Sequence, residues 1–492
     1  MKHPMISDIH TVPLQSSQNS IEFGADGIRE VAGRWPLVPD GAQKIGKALG
    51  WFLRKRSDHP VAVLGRDTRP SGIFLAEGLA NGMLSEGVDV IDLGIMTTPG
   101  IAYLSRRLQT NLGVIVSASH NPSRYNGIKL VGPYGLRLQR EEEIEIEMLC
   151  VRAIAEDIQV ESISGQDTDA GHLIELYIGD HVNCCPTESL AGLALVLDCA
   201  NGAAARVAPV AFARMGAQVI TINDDMAGHN INSACGSEHA RSHPRDLAAI
   251  VQQHDAMYGL AFDGDGDRLV VVDPTGHVFD GDDLLFVLAQ HLHSRQQLRH
   301  NKIVTTRASN TGLETSLKEL GIQIVWAGKG DKALEAEMWR GDFLLGGEPT
   351  GNLILNDGHH TAADAVYSAL FLAGILALEP QTRLIDRVAQ LKKLPQVLVS
   401  TNIADRKPLE EMSALRLEKK LIHERLGTTC RIETWYSSTE PDLFRVMVEG
   451  SAQSTLDEVE QAALALCCIV QRETSAEGKK ITAQRTSERL RR

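Results

Sequence analysis

Apolar, β-branched-rich runs alternate with helical stretches over most of the chain, and one plan recurs three times. Segments beginning at Val61, Leu193 and Lys302 each read as an apolar run, a polar turn rich in Gly, Ser or Asn, a helical stretch, then Gly and a second apolar run. That is strand, loop, helix, strand, the βαβ unit of a parallel sheet. A second pattern follows each unit: apolar run, polar loop, apolar run, turn. It starts at Gly113, Gly259 and Asp342, and its loop is the only part with unusual polar content. The alternation of both patterns in the same order predicts three similar mixed α/β domains, each presenting one specialised loop beyond its strand ends. Past residue 396 the texture changes. Gln396–Asn402 reads as a strand, Pro408–Leu426 as a charged helix, Cys430–Glu449 as two strands around a loop, and Leu456–Gln471 as a helix. The expected organisation is residues 15–166, 167–281 and 282–396 as three α/β domains, 397–475 as a smaller α+β domain, and 476–492 as a disordered tail.

Composition narrows the function classes. Hydrophobic residues make up 43% and charged residues 23%, as in a soluble globular protein. Aromatics are only 4% and the formal charge is -14, which argues against nucleic acid as a partner. An anionic small molecule then needs locally clustered Arg and Lys. The eight cysteines show no Cys-x-x-Cys spacing, so reduced core thiols are expected rather than disulfides or zinc. The first twenty residues lack the apolar stretch of a signal peptide, and no apolar run approaches the roughly 20 residues needed to span a membrane. A cytoplasmic protein without membrane contact is expected. Oligomeric state is not legible.

Asp263-Gly264-Asp265-Gly266-Asp267-Arg268 carries the strongest local chemistry. In an extended loop alternate residues face one way, so the three carboxylates converge on a hard cation such as Mg²⁺. An EF-hand is a poor fit, because its sixth position would be Arg268 and its twelfth Pro274. A bland acidic turn would leave three carboxylates repelling one another.

Ser119, in Ser117-Ala118-Ser119-His120-Asn121-Pro122, stands at the end of the apolar run Val114–Val116, with Lys129 shortly after. A cap is the plain reading of such a serine. His120, Asn121 and Lys129 add hydrogen-bonding, proton-transferring or phosphate-steadying groups. Arg29 ends a glycine-rich turn. Arg66 and Arg69 open a helix, where phosphate binding and an ion pair with Asp67 are both open. Glu348, in Gly346-Gly347-Glu348-Pro349-Thr350-Gly351-Asn352, places a carboxylate among glycines, suited to sugar hydroxyls or to a plain turn.

Taken in order, these loops resemble the α-D-phosphohexomutase family over nearly the whole chain. The phosphoserine-type loop and the aspartate triplet are specific as a pair. The resemblance implies four domains around a central cleft. Ser119 would be the phosphoserine and would join Asp263, Asp265 and Asp267 in binding Mg²⁺. Arg29 and Lys129, with His120 beside the serine, would serve catalysis, Glu348 would contact sugar hydroxyls, and the fourth domain would hold phosphate. A hexose 1,6-bisphosphate would prime the cycle. The opening Phe-Gly-x-Asp-Gly-Ile-Arg, the stretch Cys235–His239 and the ending Arg445–Gly450 are similar to the phosphoglucosamine mutase branch, implying interconversion of glucosamine 6- and 1-phosphates.

Four positions depart from the family pattern. Thr350 and Asn352 stand where Ser and His are usual in the sugar loop. The fourth-domain loop reads Trp435-Tyr436-Ser437-Ser438-Thr439-Glu440, lacking the usual arginine and glycine. Thr350, Asn352, Ser437, Thr439 and Arg445 complete the expected substrate-binding set. Two other readings stay open: a mutase preferring glucose or mannose phosphates, and a phosphosugar-binding protein without turnover.

Overall fold

A computed structural model describes residues 20–24, 26–156, 165–328, 330–358, 360–437, 442–474 and 481–485. The internal repetition is explicit in the sheet topology. In the first sheet Val61–Arg66 lies between two parallel neighbours, Asp89–Ile95 and Leu112–Val116, and Tyr125–Val131 returns antiparallel beside Leu112–Val116. Ala194–Asp198, Gln218–Ile222, Tyr258–Phe262 and Leu269–Val272 repeat that arrangement. So do Lys302–Thr306, Gln323–Ala327, Leu345–Gly347 and Leu353–Leu355. In every repeat the specialised loop joins the third strand to its antiparallel return. These third strands are buried along their whole length. Sheets covered on both faces require such continuous apolar runs, and the polar loop begins where the run stops.

One apolar core runs through all three repeats, from Val63 through Leu197 and Phe262 to Leu345 and Leu391. Helix Ala365–Leu378 crosses it, buried nearly all round. A second core lies on the other face of the first sheet, under helices Pro39–Arg54 and Ser71–Ser85. The fourth sheet has its own core, with helices Ser413–Leu426 and Leu456–Glu473 packed on strands Gln396–Asn402, Arg431–Tyr436 and Leu443–Glu449. It is tied to the third repeat by Thr311 Oγ1 donating to Glu449 at 2.6 Å and Arg431 donating to the Ser309 carbonyl at 2.6 Å.

Two expected boundaries shift. Asp167–Asp169 pairs parallel with Val90–Asp92, so the first sheet continues past residue 166. Ile481–Arg485 pairs antiparallel with Val397–Thr401, so part of the stretch expected to be a disordered tail is an edge strand of the fourth sheet. Both are short edge strands held by backbone bonds and, at Arg485, by ion pairs with Asp457 and Glu460. Asp167–Asp169 holds no apolar residue, and Ile481–Arg485 is too short and polar for its Ile481 and Ala483 to stand out in sequence. Residues 476–480 and 486–492 lie outside the described residues. All eight cysteines are free thiols. Among the described residues no helix is long and apolar enough to cross a membrane.

Candidate active site

The serine loop is built by one arginine. Arg69 is fully buried and spreads its whole guanidinium over the loop backbone. Nη1 donates to the carbonyls of Pro122 (2.6 Å) and Tyr125 (2.9 Å), and Nη2 to those of Ser119 (2.8 Å) and Asn121 (2.7 Å). Nε donates to Asp67 at 2.8 Å, which also accepts from Ser117 Oγ at 2.7 Å. Of the two roles open for Arg69 in sequence, the structure supports the ion pair with Asp67. From the second repeat Asn232 Nδ2 donates to the same Ser119 carbonyl at 2.8 Å. Under this clamp Ser119 adopts φ 48°, a left-handed conformation that costs a non-glycine residue about 1–2 kcal/mol and persists only when its surroundings overdetermine it. The hydroxyl caps nothing. It donates to Asp263 Oδ2 at 2.7 Å, across the junction of the first two repeats.

Asp263, Asp265 and Asp267 converge, with ligating oxygens all within 4.8 Å of one another and every side chain buried. They do so through a tight turn rather than the extended loop expected: Gly266 has φ 74° and donates to the Asp263 carbonyl at 3.1 Å. A Cβ at Gly264 would lie 2.9 Å from the Ser119 carbonyl, so the two loops meet backbone to backbone. Burial and the neighbouring Asp265 push the Asp263 carboxyl up to about 6, and burial with both neighbours raises Asp267 well above the usual carboxylate range. Burial acts on Asp265 in the same sense, but Lys129 and the Thr98 hydroxyl, 2.6 Å away, hold it below its ordinary value. One oxygen each of Asp265 and Asp267 is buried without a hydrogen-bond partner. Orphaned anionic oxygens beside a serine hydroxyl fit a hard divalent cation such as Mg²⁺.

Cations ring this turn. Lys129 Nζ lies 3.4 Å from Asp265, 3.8 Å from Asp267 and 3.7 Å from Asp26. Burial disfavours its charge, but these carboxylates outweigh burial and raise its pKa, so it stays an ammonium. Asp26 also pairs with Arg29 and Arg137. Nε and Nη1 of Arg29 are buried and unpartnered, as is Nε of Arg137. Such idle donors suit an anion with several oxygens. His120 Nδ1 lies 3.5 Å from Ser119 Oγ. Burial and the Arg268 guanidinium push this imidazole down to about 3, so it is neutral near pH 7. Arg268 itself pairs with Glu238 at 2.8 Å.

The third-repeat loop is braced on the second repeat. Arg241 donates to the carbonyls of Pro349 (2.9 Å) and Thr350 (2.7 Å). Asn352 is buried; its Nδ2 donates to the Asp267 carbonyl at 3.4 Å and its Oδ1 accepts from Thr350 Oγ1 at 2.9 Å. The side chains of Thr350 and Asn352 are thus engaged in holding the loop against the aspartate turn. Gly351 sits at φ 96°, and a Cβ there would come within 2.2 Å of the Leu269 carbonyl. Burial and nearby Asp331 push Glu348 up to about 7. In the fourth domain Ser437 is buried, and its carbonyl accepts from Arg406. Arg445 lies opposite Trp435 on the paired strands. Thr439 lies outside the described residues.

The three specialised loops therefore occupy the same hairpin position in three repeats and meet at one place. The chain matches, in order, the families described as phosphoglucomutase/phosphomannomutase alpha/beta/alpha domain I over residues 20–155, domain II over 175–276 and domain III over 280–394. It is 39% identical to the phosphoglucosamine mutase of Bacillus cereus (strain AH187), across 88% of this chain and 95% of that protein. The chain belongs to the α-D-phosphohexomutase family. Solved structures share this phosphohexomutase fold at lower identity. A phosphoglucomutase/phosphomannomutase family protein of Burkholderia thailandensis superposes with TM-score 0.74 at 23% identity, covering 93% of this chain and 98% of that one. The N-acetylphosphoglucosamine mutase of Aspergillus fumigatus, solved in complex with GlcNAc-6P and magnesium, gives 0.63 at 18%, covering 93% and 96%.

Sequence reasoning misses several site residues of this phosphohexomutase. Asp26 gathers Arg29, Lys129 and Arg137 and lies inside the quoted opening motif, so its acidity among basic partners was the available signal. Thr98 and Asn232 reach the loops from distant elements, and nothing in their own sequence surroundings marks them.

Proposed function

We propose that the chain is a phosphoglucosamine mutase, moving a phosphoryl group between the 6- and 1-positions of glucosamine phosphate through a phosphoserine at Ser119 and a bound hexose 1,6-bisphosphate. The observation that carries this reading is the Ser119 hydroxyl, forced into a left-handed backbone and aimed at Asp263 at 2.7 Å. A phosphoryl group on that oxygen enters the ring of Asp263, Asp265 and Asp267 and meets the idle donors of Arg29. In the forward half-reaction the bond from phosphorus to Ser119 Oγ breaks as a sugar hydroxyl oxygen bonds the phosphorus. Lys129 gives a proton to the departing Ser119 Oγ and takes the one the sugar hydroxyl releases, and the bisphosphate then turns and returns its other phosphoryl group to the serine by the reverse exchange. Mg²⁺ held by the three aspartates and the serine phosphate would neutralise charge on the transferring group. Lys129, kept protonated by its carboxylates, is set to give a proton before it takes one. Arg29 steadies the phosphate, neutral His120 offers the serine oxygen a hydrogen bond, and Glu348 takes the sugar hydroxyls.

The fourth domain then grips the remote phosphate. Arg406, donating to the Ser437 carbonyl and stacked over Tyr436 at 5.5 Å, supplies the charge that the loop itself lacks at Trp435, alongside Ser437, Thr439 and Arg445. The enzyme works in the cytoplasm on a small phosphosugar. The same loop departure favours a second reading, a mutase for glucose or mannose phosphates. A panel of glucosamine, glucose and mannose 1-phosphates, with bisphosphate primer and Mg²⁺, separates the two: the proposal requires the highest kcat/KM with glucosamine phosphate. Turnover of glucose or mannose phosphate alone selects the second reading, and binding without any turnover selects neither.

A further inference from the structure

A second cluster of ligating side chains lies close to the aspartate turn, whose Gly266 carbonyl accepts from the Ala365 N–H at 3.1 Å, where the three repeats adjoin. His181 comes from helix Ile174–Asn183, and His360 and Asp364 from the segment leading into helix Ala365–Leu378. Their ligating atoms all lie within 4.8 Å of one another, and each side chain is at least 98% buried. The tautomers of both rings are dictated by their outer nitrogens. His181 Nδ1 faces the Tyr177 carbonyl at 2.8 Å, which can only accept, so Nδ1 carries the proton. His360 Nδ1 faces the Asp357 carboxylate at 3.0 Å, with the same consequence. Both Nε2 atoms are buried without a hydrogen-bond partner; that of His181 lies 3.2 Å from Asp364 Oδ2 but off hydrogen-bonding geometry.

An imidazole that gives one N–H to a carbonyl or carboxylate and turns a bare nitrogen inward is the arrangement that outer partners impose on metal-binding histidines. The rings are also fixed in place: His360 is stacked on Tyr367 at 4.0 Å, and Tyr177 meets His181 edge-on at 4.1 Å. Asp364 is oriented by the Tyr177 hydroxyl at 2.5 Å on Oδ2 and by the Tyr367 N–H at 2.9 Å on Oδ1. We propose that His181, His360 and Asp364 form a second metal site, distinct from the aspartate turn, for a borderline divalent cation of the zinc class. Two imidazoles and one carboxylate disfavour Mg²⁺, which prefers oxygen ligands. The role is structural: the ion pins the helix that enters the second repeat to the segment that closes the third.

The test is equilibrium dialysis of the full chain against micromolar Zn²⁺ in millimolar Mg²⁺, which saturates the aspartate turn, with bound zinc counted by elemental mass spectrometry. One zinc per chain is expected in the wild type and in Asp263→Asn. It should be lost in His181→Gln and in His360→Gln, each checked for native circular dichroism. Asp357→Asn, which removes the carboxylate facing His360's outer nitrogen, should weaken binding about 10–100-fold. Co²⁺ in place of Zn²⁺ should give visible d–d bands in the wild type, a readout that does not depend on any variant folding. No zinc in the wild type, no Co²⁺ bands, or an unchanged zinc count in His181→Gln/His360→Gln overturns the proposal.

Discussion

Replacing Arg69 with lysine tests how the nucleophile is positioned. The guanidinium makes five side-chain contacts in a sealed space: four with loop carbonyls and one with Asp67. An ammonium has three donors and no fork. It can keep the Asp67 charge satisfied, yet at least two of the carbonyls lose a partner. Asn232 still serves Ser119 and Asn121, so the exposed deficit falls on Pro122 and Tyr125. Each unmet carbonyl costs about 1–3 kcal/mol when fully buried; these two bonds are only partly buried, so water offsets part of the cost and the loss is about 1–3 kcal/mol in all. With the clamp loosened, the left-handed φ of Ser119 has less to hold it and relaxes. A misplacement of about 1 Å at a reacting centre can lower the rate about 100-fold. The assay pairs a urea unfolding midpoint with steady-state mutase kinetics. Since Arg69 is fully buried, KM for the sugar phosphate should stay within a few-fold while kcat falls. A lower midpoint with unchanged kcat would show that the fork does not position Ser119. A raised KM at constant kcat would mean that Arg69 binds substrate, and the argument from burial would fail.

Other perturbations give separate readings. Gly351→Ala forces a Cβ to 2.2 Å from the Leu269 carbonyl at φ 96°; it should cost at least about 2 kcal/mol and raise KM more than it lowers kcat, visible as a melting shift and a kinetic split. Glu348, raised to about 7 from an ordinary 4.5, binds its proton more tightly folded than unfolded. Its contribution to stability is therefore present below pH 4.5 and lost as pH rises through about 7. Glu348→Gln should gain melting temperature relative to wild type at alkaline pH and not at acidic pH, and the alkaline-side rise of kcat/KM through pH 7 should flatten. Stripping divalent cations with a chelator should abolish turnover without unfolding the protein, and added Mg²⁺ should restore it; full activity in chelator removes the metal from the account.

The three specialised loops were legible because each is the polar stretch that follows a continuously apolar strand, and the repeat made the same hairpin visible three times. What sequence could not supply was contact at a distance. Nothing near Arg69 says that it folds the loop fifty residues away, so its pairing with Asp67 could only be left open. Asn352 looked available to a sugar, whereas its amide is engaged with the Asp267 carbonyl. The aspartates converge as expected, but by a turn at Gly266 rather than by strand alternation. Asp167–Asp169 and Ile481–Arg485 were missed because edge strands joined by backbone bonds need no apolar pattern. His181, His360 and Asp364 lie far apart in sequence with no spacing to unite them; only the packed fold brings their nitrogens and carboxylate together.

The central claim is that Ser119 carries the phosphoryl group. Intact-mass and peptide mass spectrometry of protein incubated with hexose 1,6-bisphosphate and Mg²⁺ tests it most directly, beside Ser119→Ala treated alike. The account predicts one phosphate per chain, located on Ser119, with neither phosphate nor mutase activity in the variant. Phosphate on another residue, or turnover surviving in Ser119→Ala, would contradict it.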